Sequence, residues 1–438
     1  MGRLFGTDGV RGAYGETLTD ALARELGFGA ASVLGGDATH SPILIGRDTR
    51  GSGPALERAL AAGIRAAGGV PVTCGVMPTA GVAHLVNAGG FAAGAVISAS
   101  HNPARDNGIK FFGADGMKLS DALEDRIETA MEDPGLVEPA LESFDDADET
   151  YLRFLLDGSA RLEGVRLVVD CANGAASAIA PEVYRDAGAT VTVIHADPDG
   201  TNINDHCGST HPERLQEAVV AHGAHLGIAH DGDADRMLAA DAHGRMVDGD
   251  QILGLIAIDA LARGVLPNDT VVSTVMANMG FRRAMRDAGI SFIETAVGDR
   301  YVLAAMLEHG AAMGGEQSGH LVFLQRHTTG DGILTALELG AVIARTGMSL
   351  SELAKQVPRF PQVLVNVPVR DRNELIGAEA VWESVEAAEA ALAGSGRVLV
   401  RASGTEQLVR VMAEAETTEA AQAAVDQVVA AVRDTLAD

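Results

Sequence analysis

Residues 225–236 read HLGIAHDGDADR, an apolar strand-like run followed at once by three alternating aspartates. The same order, small apolar residues and then a polar loop, recurs elsewhere in the chain. Asp231 and Glu316 are 85 residues apart, and so are Glu316 and Arg401. The recurrence predicts a repeated unit in which a buried strand runs into a polar loop and out into another strand. The related loops are SASHNP (98–103), GGEQSGH (314–320) and RASGTE (401–406).

Short apolar runs alternate with longer alanine-rich stretches around these loops, which is typical of α/β domains. The C-terminal part follows a strand–helix–strand–strand–helix order, which predicts a small α+β domain. We therefore expect an α/β protein of four domains around a central cleft. Three similar α/β domains, with mixed sheets flanked by helices, would precede the small α+β domain. The expected boundaries are 1–148, 149–248, 249–358 and 359–438.

The charge balance excludes several classes of protein. The chain of 438 residues has 33 Lys and Arg against 60 Asp and Glu, a formal net charge of −27. Nucleic acids and anionic membrane surfaces need a basic partner, so we expect neither. The three cysteines are widely spaced, and no apolar run reaches the length of a membrane span or forms a signal-peptide core. These features predict a cytoplasmic protein.

The aspartates at 231, 233 and 235 are candidate metal ligands. In an extended segment Asp231, Asp233 and Asp235 would share one face, because side chains alternate with a period of two. Convergent carboxylates repel one another unless a cation lies between them, and their hard oxygens favour Mg²⁺ or Ca²⁺. An EF-hand is excluded because the sixth position of the loop, counted from Asp231, is Arg236 rather than glycine, and the twelfth is Ala242 rather than glutamate. A solvated acidic turn is the alternative to a Mg²⁺ site for phosphoryl transfer.

Ser100 is a candidate nucleophile. It follows a strand of small residues and precedes His101. The sequence has neither the G-x-S-x-G elbow of α/β-hydrolases nor the common nucleotide-binding glycine loops. A serine that cycles through a phosphoryl ester therefore fits better than an acyl-enzyme, and a turn-capping hydroxyl is the alternative. Two of the three lysines follow: Lys110, expected to point into the cleft, and Lys118, expected on the surface.

The RASGTE segment is a candidate phosphate-binding loop. It supplies a planar guanidinium, two hydroxyls and a glycine that lets an anion approach the backbone. A second arginine follows in the next strand. The alternative to a phosphate-binding loop is a hairpin turn that carries polar residues by chance. The residues are Arg401, Ser403, Gly404, Thr405 and Arg410.

Other polar residues fall in comparable loops. Glu316, Ser318 and His320 suit sugar hydroxyls or amines. A glycine-punctuated loop near the N-terminus carries Thr7 and Arg11, of which Arg11 suits a second phosphate or a phosphoserine. The VGDR segment (297–300) adds Arg300 at a strand end.

Ten segments together resemble the bacterial phosphoglucosamine mutases, a family of the α-D-phosphohexomutase superfamily. The similarity runs through the whole chain, and its serine and sugar loops resemble this family more than the phosphomannomutase/phosphoglucomutase relatives. One departure is MPTAGVAH (77–84), where the family usually has a PTPAVAY form, and we expect it to affect only local packing. The ten segments are FGTDGVRG, ISASHNP, NGIKFF, DCANGA, DGDADR, VDGDQI, VGDRYV, GGEQSGH, TTGDGI and RASGTE.

The resemblance implies a role for each candidate residue. Ser100 would become phosphoserine and would hold Mg²⁺ together with Asp231, Asp233 and Asp235. Lys110 would transfer a proton or stabilise charge. The catalytic group would be Ser100, Lys110, Arg11 and His101. The substrate-binding group would be Thr7, Arg236, Asp299, Arg300, Glu316, Ser318 and His320. The phosphate-binding group would be Arg401, Ser403, Gly404, Thr405 and Arg410.

The implied reaction interconverts glucosamine 6-phosphate and glucosamine 1-phosphate through a phosphoserine and a 1,6-bisphosphate, and it feeds UDP-N-acetylglucosamine and cell-wall synthesis. The implied cofactors are Mg²⁺ and, as activator, glucosamine or glucose 1,6-bisphosphate. The expected partner is a hexosamine phosphate, and the oligomeric state stays open, with a homodimer as one candidate. Three alternatives also stay open: a mutase for glucose or mannose phosphates, a non-catalytic sugar-phosphate sensor and a Mg²⁺ phosphatase.

Overall fold

The computed structural model describes residues 3–6, 8–35, 41–403 and 406–437. It divides the chain into two compact units, of which the first comprises Met1–Met276 and Gly289–Gln356 and the second comprises Ala277–Ala288 and Val357–Asp438. The described residues form three mixed sheets in the first unit and one antiparallel sheet in the second. This confirms the predicted fold class, whereas the predicted domain boundaries stay a prediction.

The first sheet holds the serine loop between two of its strands. Its strands are β1 (Val10–Ala13), β2 (Pro42–Arg47), β3 (Val70–Val76), β4 (Ala93–Ile97), β5 (Asp106–Gly113) and β6 (Glu142–Ser143), in the order β1-β5-β4-β2-β3-β6. Of these described strands only β5 runs against the others. The helices of this part are α1 (Asp20–Leu34), α2 (Gly53–Ala66), α3 (Thr79–Gly89), α4 (Asp121–Ala130) and α5 (Ala147–Leu156).

Helix and sheet approach closely here because β4 consists of small and aliphatic residues that are all buried. A Cβ on Gly94 would lie 2.6 Å from a methyl group of Val86 in α3, so this contact requires glycine. The packing fixes the end of β4, from which the serine loop departs.

The second sheet holds the aspartate loop in the same way. Its strands are β7 (Arg166–Asp170), β8 (Thr190–Ile194), β9 (Leu226–His230), β10 (Met237–Asp241) and β11 (Met246–Val247), in the order β11-β10-β9-β7-β8. Of these strands only β10 is reversed. The helices of this part are α6 (Ala176–Asp186) and α7 (Glu213–Ala221).

The third sheet repeats the arrangement around GGEQSGH. Its strands are β12 (Thr270–Thr274), β13 (Ser291–Thr295), β14 (Met313–Gly315) and β15 (Leu321–Phe323), in the order β13-β12-β14-β15, and β15 alone of them is reversed. The first-unit helices of this part are α8 (Gly249–Ala262), α10 (Asp299–His309), α11 (Gly332–Thr346) and α12 (Leu350–Leu353). In each of the three sheets the polar loop therefore joins an antiparallel strand pair, which confirms the predicted repeat.

The second unit has a valine-rich core under an antiparallel sheet. Its strands are β16 (Gln362–Pro368), β17 (Gly396–Ala402) and β18 (Leu408–Ala415), in the order β16-β18-β17, and its helices are α9 (Met279–Ala288), α13 (Glu379–Leu392) and α14 (Thr418–Leu436). Glu414 is fully buried in this unit, where it accepts the Met279 N–H at 2.8 Å and pairs with Arg397 at 2.8 Å. These bonds attach α9 to the sheet.

Four short 3₁₀ helices complete the described elements: Gly208–Thr210, Pro267–Asp269, Ala354–Gln356 and Arg372–Gly377. In the part of the chain that the structure describes, no single helix is both long and apolar enough to cross a membrane. A pair of helices bent by 91°, Gly332–Thr346 and Leu350–Gln356, reaches those limits only when taken together.

Candidate active site

The three predicted metal-binding aspartates lie between β9 and β10 in a turn, so the predicted extended segment with alternating faces is wrong. Ala234 has a φ of 57°, and its N–H donates to the carbonyl of Asp231 at 3.1 Å. The turn still brings the three side chains together. Carboxylate oxygens of Asp231, Asp233 and Asp235 lie within 4.8 Å of one another, and all three residues are buried.

Two oxygens of this cluster, Asp233 Oδ1 and Asp235 Oδ1, are buried and accept no hydrogen bond. Burying such an atom without a partner costs free energy. Burial and the charges on Asp235 and Asp233 also raise the pKa of Asp231 well above its usual range. A divalent cation with a preference for oxygen ligands, such as Mg²⁺, would satisfy all three carboxylates, so the residues fit the predicted metal.

Ser100 lies directly against this cluster. Its Oγ donates to Asp231 Oδ2 at 2.6 Å and is 3.3 Å from His101 Nδ1. A Cβ on Gly232 would lie 2.5 Å from the Ser100 carbonyl oxygen, so the aspartate loop can pack on the serine loop only with glycine there. The structure therefore brings together the two loops that the sequence predicts to act in one reaction.

Ser100 has a φ of 51°, a left-handed conformation that its surroundings must impose on a residue with a side chain. Ser98 Oγ accepts the Ser100 N–H at 2.9 Å and donates to Asp48 Oδ2 at 2.6 Å. Asp48 pairs in turn with Arg50 at 2.8 Å. Asn204 Nδ2 donates to the Ser100 carbonyl at 2.9 Å. Sequence reasoning missed these four supporting residues. Ser98 was in view in the SASHNP loop, whereas nothing local marks Asp48, Arg50 and Asn204 as neighbours of Ser100.

Lys110 lies in the site, where the sequence predicts it. Its Nζ donates to Asp233 Oδ2 at 2.8 Å and is 3.8 Å from carboxylate oxygens of Asp8 and Asp235. Burial opposes the charge, but Asp233, Asp8 and Asp235 raise the pKa of Lys110 above its usual value. The side chain is therefore an ammonium at neutral pH, which favours charge stabilisation over proton acceptance.

Lys118 is not on the surface, so that expectation is wrong. Its side chain is 18% exposed, and its Nζ donates to Asp8 Oδ1 at 2.7 Å and to Asp299 Oδ2. Arg11 also donates to Asp8. Asp8 was missed as well, although an acidic residue inside a glycine-punctuated loop, next to a predicted anion-binding arginine, was an available signal. Three cations hold the pKa of Asp8 well below its usual range despite burial: Lys110, Lys118 and Arg11.

A cavity of about 420 Å³ lies beside these loops. His320 Nδ1 is 3.5 Å from Asp235 Oδ2, and His320 Nε2 is 3.7 Å from Asp299 Oδ2. Burial opposes protonation of the ring, but Asp235 and Asp299 raise the pKa of His320 above its usual value. Glu316 Oε1 accepts the Gly298 N–H at 3.0 Å. The lining includes the predicted residues Arg11, His101, Asp235, Arg236, Asp299, Glu316 and His320.

Two arginines at the cavity wall have buried donors without partners. The Nε atoms of Arg11 and Arg236 are enclosed and make no hydrogen bond. Arg236 Nε is 3.7 Å from Asp235 Oδ1, too far for a hydrogen bond but close enough for charge attraction. A guanidinium donor left unpaired in a polar cavity fits an anionic ligand, since charge-assisted bonds to phosphoryl oxygens are strong.

Three other predicted sugar contacts are not brought into this lining. Arg300 donates to Asp121 at the start of α4. Ser318 is exposed and is not among the described residues that line the cavity. Thr7 lies outside the described residues. These three assignments stay predictions from the sequence.

The predicted phosphate loop lies in the second unit, between β17 and β18. Arg401 and Arg410 are direct partners in the antiparallel register, and like charges in that position destabilise a strand pair. Burial and the charge on Arg410 lower the pKa of Arg401, and Arg410 Nε is buried without a partner. Ser403 is buried at the start of the loop, and Gly404 and Thr405 lie outside the described residues. The strand pair thus offers donors for an anion.

Comparison with known proteins agrees with this geometry. Four family models of phosphoglucomutase/phosphomannomutase match the chain: α/β/α domain I at residues 2–136, α/β/α domain II at 149–244, α/β/α domain III at 248–360 and the C-terminal domain at 364–431. The phosphoglucosamine mutase of Heliobacterium modesticaldum is 51% identical over 459 residues, covering 99% of each chain.

Solved structures share the fold. A phosphoglucomutase/phosphomannomutase family protein from Burkholderia thailandensis matches with a TM-score of 0.84 and 25% identity, over 99% of this chain and 97% of that one. The Aspergillus fumigatus N-acetylphosphoglucosamine mutase, solved in complex with GlcNAc-6P and magnesium, has a TM-score of 0.64 and 18% identity over 99% and 96% of the two chains, and it supports the fold alone. Because it is 51% identical to the Heliobacterium protein over 99% of both chains and matches all four domain models, this chain belongs to the phosphoglucosamine mutase family of phosphoglucomutase/phosphomannomutase proteins.

Proposed function

We propose that this protein interconverts glucosamine 6-phosphate and glucosamine 1-phosphate, with Ser100 carrying the transferred phosphoryl group. The observation that carries the proposal is the position of the Ser100 hydroxyl, 2.6 Å from Asp231 within a group of three buried carboxylates. Lys110 and the cavity-lining Arg11 and Arg236 place positive charge beside it. The full-length similarity to a phosphoglucosamine mutase supports the amino sugar as substrate.

The three aspartates would hold Mg²⁺ together with an oxygen of phosphorylated Ser100. When bound, the cation would neutralise negative charge on the transferring phosphoryl group. The unpartnered oxygens of Asp233 and Asp235 support this assignment.

In the first half of the reaction, the 1-hydroxyl of glucosamine 6-phosphate attacks the phosphorus on Ser100. The bond from phosphorus to the sugar O1 forms as the bond from phosphorus to Ser100 Oγ breaks. The proton of the sugar hydroxyl ends on the leaving Ser100 Oγ, and we assign its delivery there to His101, whose Nδ1 lies 3.3 Å from Ser100 Oγ. Lys110 and Arg11 stabilise the charge that is spread over the equatorial oxygens.

In the second half, the 1,6-bisphosphate turns so that its 6-phosphate faces Ser100. The bond from phosphorus to O6 breaks as the bond to Ser100 Oγ re-forms. Ser100 Oγ gives up its proton to His101 as it attacks, and O6 takes up a proton as it leaves. Glucosamine 1-phosphate then leaves. By the same step, glucosamine or glucose 1,6-bisphosphate would act as activator, because it would phosphorylate an unmodified Ser100.

Binding of the remaining groups would be divided between two sets of residues. Glu316, Asp299 and His320 line the cavity and would contact the sugar, where carboxylates suit hydroxyls and the 2-ammonium group. The phosphate that is not reacting would be bound by Arg401, Ser403, Gly404, Thr405 and Arg410.

An assay with glucosamine 6-phosphate, Mg²⁺ and a trace of glucose 1,6-bisphosphate tests the proposal, with the product identified by ³¹P NMR. We expect glucosamine 1-phosphate, and a mass gain of about 80 Da on the intact protein after incubation with the bisphosphate. Ser100→Ala should lose both, while Ser143→Ala, at an exposed serine, should keep both.

The same assay separates the alternatives. A higher kcat/KM on glucose 6-phosphate or mannose 6-phosphate would assign the protein to the related mutases. Release of inorganic phosphate without isomerisation would indicate a phosphatase. Sugar-phosphate binding with neither turnover nor a mass gain would indicate a sensor.

A further inference from the structure

Thr79 begins α3 in the MPTAGVAH segment, and it is completely buried. Its Oγ1 donates to Asp233 Oδ2 at 2.6 Å, and its backbone N–H donates to the Asp233 carbonyl at 3.0 Å. One residue therefore holds both the side chain and the backbone of a proposed metal ligand. The expectation that the departures in this segment affect only local packing stays a prediction, since Thr79 itself matches the family form.

A second donor acts on the same carboxylate oxygen. Lys110 Nζ lies 2.8 Å from Asp233 Oδ2, while Asp233 Oδ1 is buried and accepts no hydrogen bond. Two donors on Oδ2 fix the rotation of the carboxylate and leave Oδ1 as the oxygen with free lone pairs. Lys110 and the N-terminus of α3 place positive charge beside this carboxylate.

We propose that Thr79 is a positioning residue for the metal ion, and that it holds Asp233 so that Oδ1 is presented to the cation. The inference rests on the metal site of the proposed function. Groups that orient a metal ligand from behind typically change metal affinity by about 10–100-fold when removed. The hydroxyl is the group that matters, because it donates the side-chain bond to Asp233 Oδ2, whereas the N-cap position of α3 is taken by Pro78.

Two pairs of variants separate the hydroxyl from packing. Thr79→Val keeps the branched shape and removes the donor, whereas Thr79→Ser keeps the donor and removes the methyl group. Thr79→Ala, compared with Thr79→Ser, repeats the test in side chains that both lack the methyl group. If packing were the role of Thr79, Val would resemble the native protein and Ser would not.

The measurement is calorimetric titration of the full-length, dephosphorylated protein with Mg²⁺, with thermal midpoints recorded in EDTA. We expect Thr79→Val and Thr79→Ala to raise the Kd for Mg²⁺ about 10–100-fold. Thr79→Ser should bind Mg²⁺ like the native protein. Saturating Mg²⁺ should restore much of the kcat that Val loses at low Mg²⁺.

Native affinity in Thr79→Val, or equal weakening in Val and Ser, would overturn the role of Thr79 and leave the metal site intact. The metal site has its own control, Asp233→Asn. If the native protein and Asp233→Asn bound Mg²⁺ equally poorly, the metal site of the proposed function would be wrong, and the inference would fall with it.

Discussion

Arg50 Nη2 donates a 2.9 Å hydrogen bond to the backbone carbonyl of Ser100, and the Arg50 side chain is completely enclosed by protein. A buried guanidinium is tolerated only when its donors are engaged, since an unpaired buried charge is costly. The serine loop meets this need through its backbone. The same guanidinium donates to two further carbonyls of the loop, those of Asn102 and Pro103, and to the carbonyl of Asp106 at the start of β5.

Arg50→Lys should therefore disturb Ser100 through its backbone, without a direct bond to the nucleophilic hydroxyl. A single ammonium cannot replace a planar fork that bonds several carbonyls at once, so the left-handed conformation at Ser100 would relax. We expect kcat to fall by about 100-fold, because displacing a reacting group by an ångström has that effect, with a smaller change in KM. Arg153→Lys is the control, since Arg153 is 72% exposed. Steady-state kinetics within twofold of the native protein would contradict the prediction.

Lys118→Met tests the charge network behind the cavity. Lys118 is the cation that Asp8 and Asp299 share, so its removal leaves two largely buried carboxylates less compensated. We expect the free energy of unfolding to fall by about 3 kcal/mol and the thermal midpoint to fall with it, since removing one partner of a buried ion pair is strongly destabilising. Lys355→Met, at an exposed lysine, should leave the midpoint unchanged.

A double variant shows whether the loss arises from that charge. Adding Asp299→Asn to Lys118→Met should recover part of the midpoint, because the neutral amide no longer needs the ammonium. Strictly additive losses in the two variants would show that Lys118 and Asp299 are not energetically coupled.

Arg401→Gln should have opposite effects on stability and on ligand binding. The Arg401–Arg410 pair places like charges on adjacent strands, so the variant should be equally or slightly more stable in phosphate-free buffer. The KM for glucosamine 6-phosphate should rise about tenfold, because the variant loses one charge-assisted hydrogen bond to the phosphate. Thermal midpoints with and without inorganic phosphate provide the check, and phosphate should stabilise the native protein more. An identical phosphate response in Arg401→Gln and in the exposed-residue control Arg433→Gln would contradict this role.

His327 should make the fold sensitive to acid. Its Nε2 lies 2.9 Å from the Ala80 carbonyl, and its Nδ1 lies 2.8 Å from the Thr328 N–H, so both nitrogens are engaged in the neutral form. Burial lowers the pKa of His327 from 6.5 to about 4. Between pH 4 and pH 6.5 the unfolded chain therefore binds more protons at His327 than the folded chain does. The contribution of neutral His327 to the free energy of unfolding is present above pH 6.5 and is lost as the pH falls toward 4.

Protonation of His327 in acid should lower the free energy of unfolding by about 3 kcal/mol. Urea midpoints at about pH 7 and about pH 4.5 measure it. His327→Gln should be less stable than the native protein at neutral pH but should lose less on acidification. His222→Gln, at an exposed histidine, should follow the native protein. A midpoint that falls equally in the native protein and in His327→Gln would rule out this source of acid sensitivity.

The sequence by itself determined the repeated strand–loop–strand units and most of the residues that meet at the site. Those features are local, because an apolar run next to a short polar loop specifies a buried strand that ends in a loop of functional side chains. Ser100, Lys110 and the three aspartates could be identified in this way. The chemistry of each loop was readable because its donors or acceptors lie within a few residues of one another.

Only the tertiary structure decided what surrounds those residues. Thr79 and Asp233 are 154 residues apart, and Lys118 and Asp299 are 181 apart, and no local period indicates which distant segments will meet. The turn at Ala234 and the left-handed conformation of Ser100 were also hidden, since both depend on packing against other segments. Hydrophobic patterning tells which face of a strand is buried. The contacts that orient a buried charge arise only when separate sheets pack together.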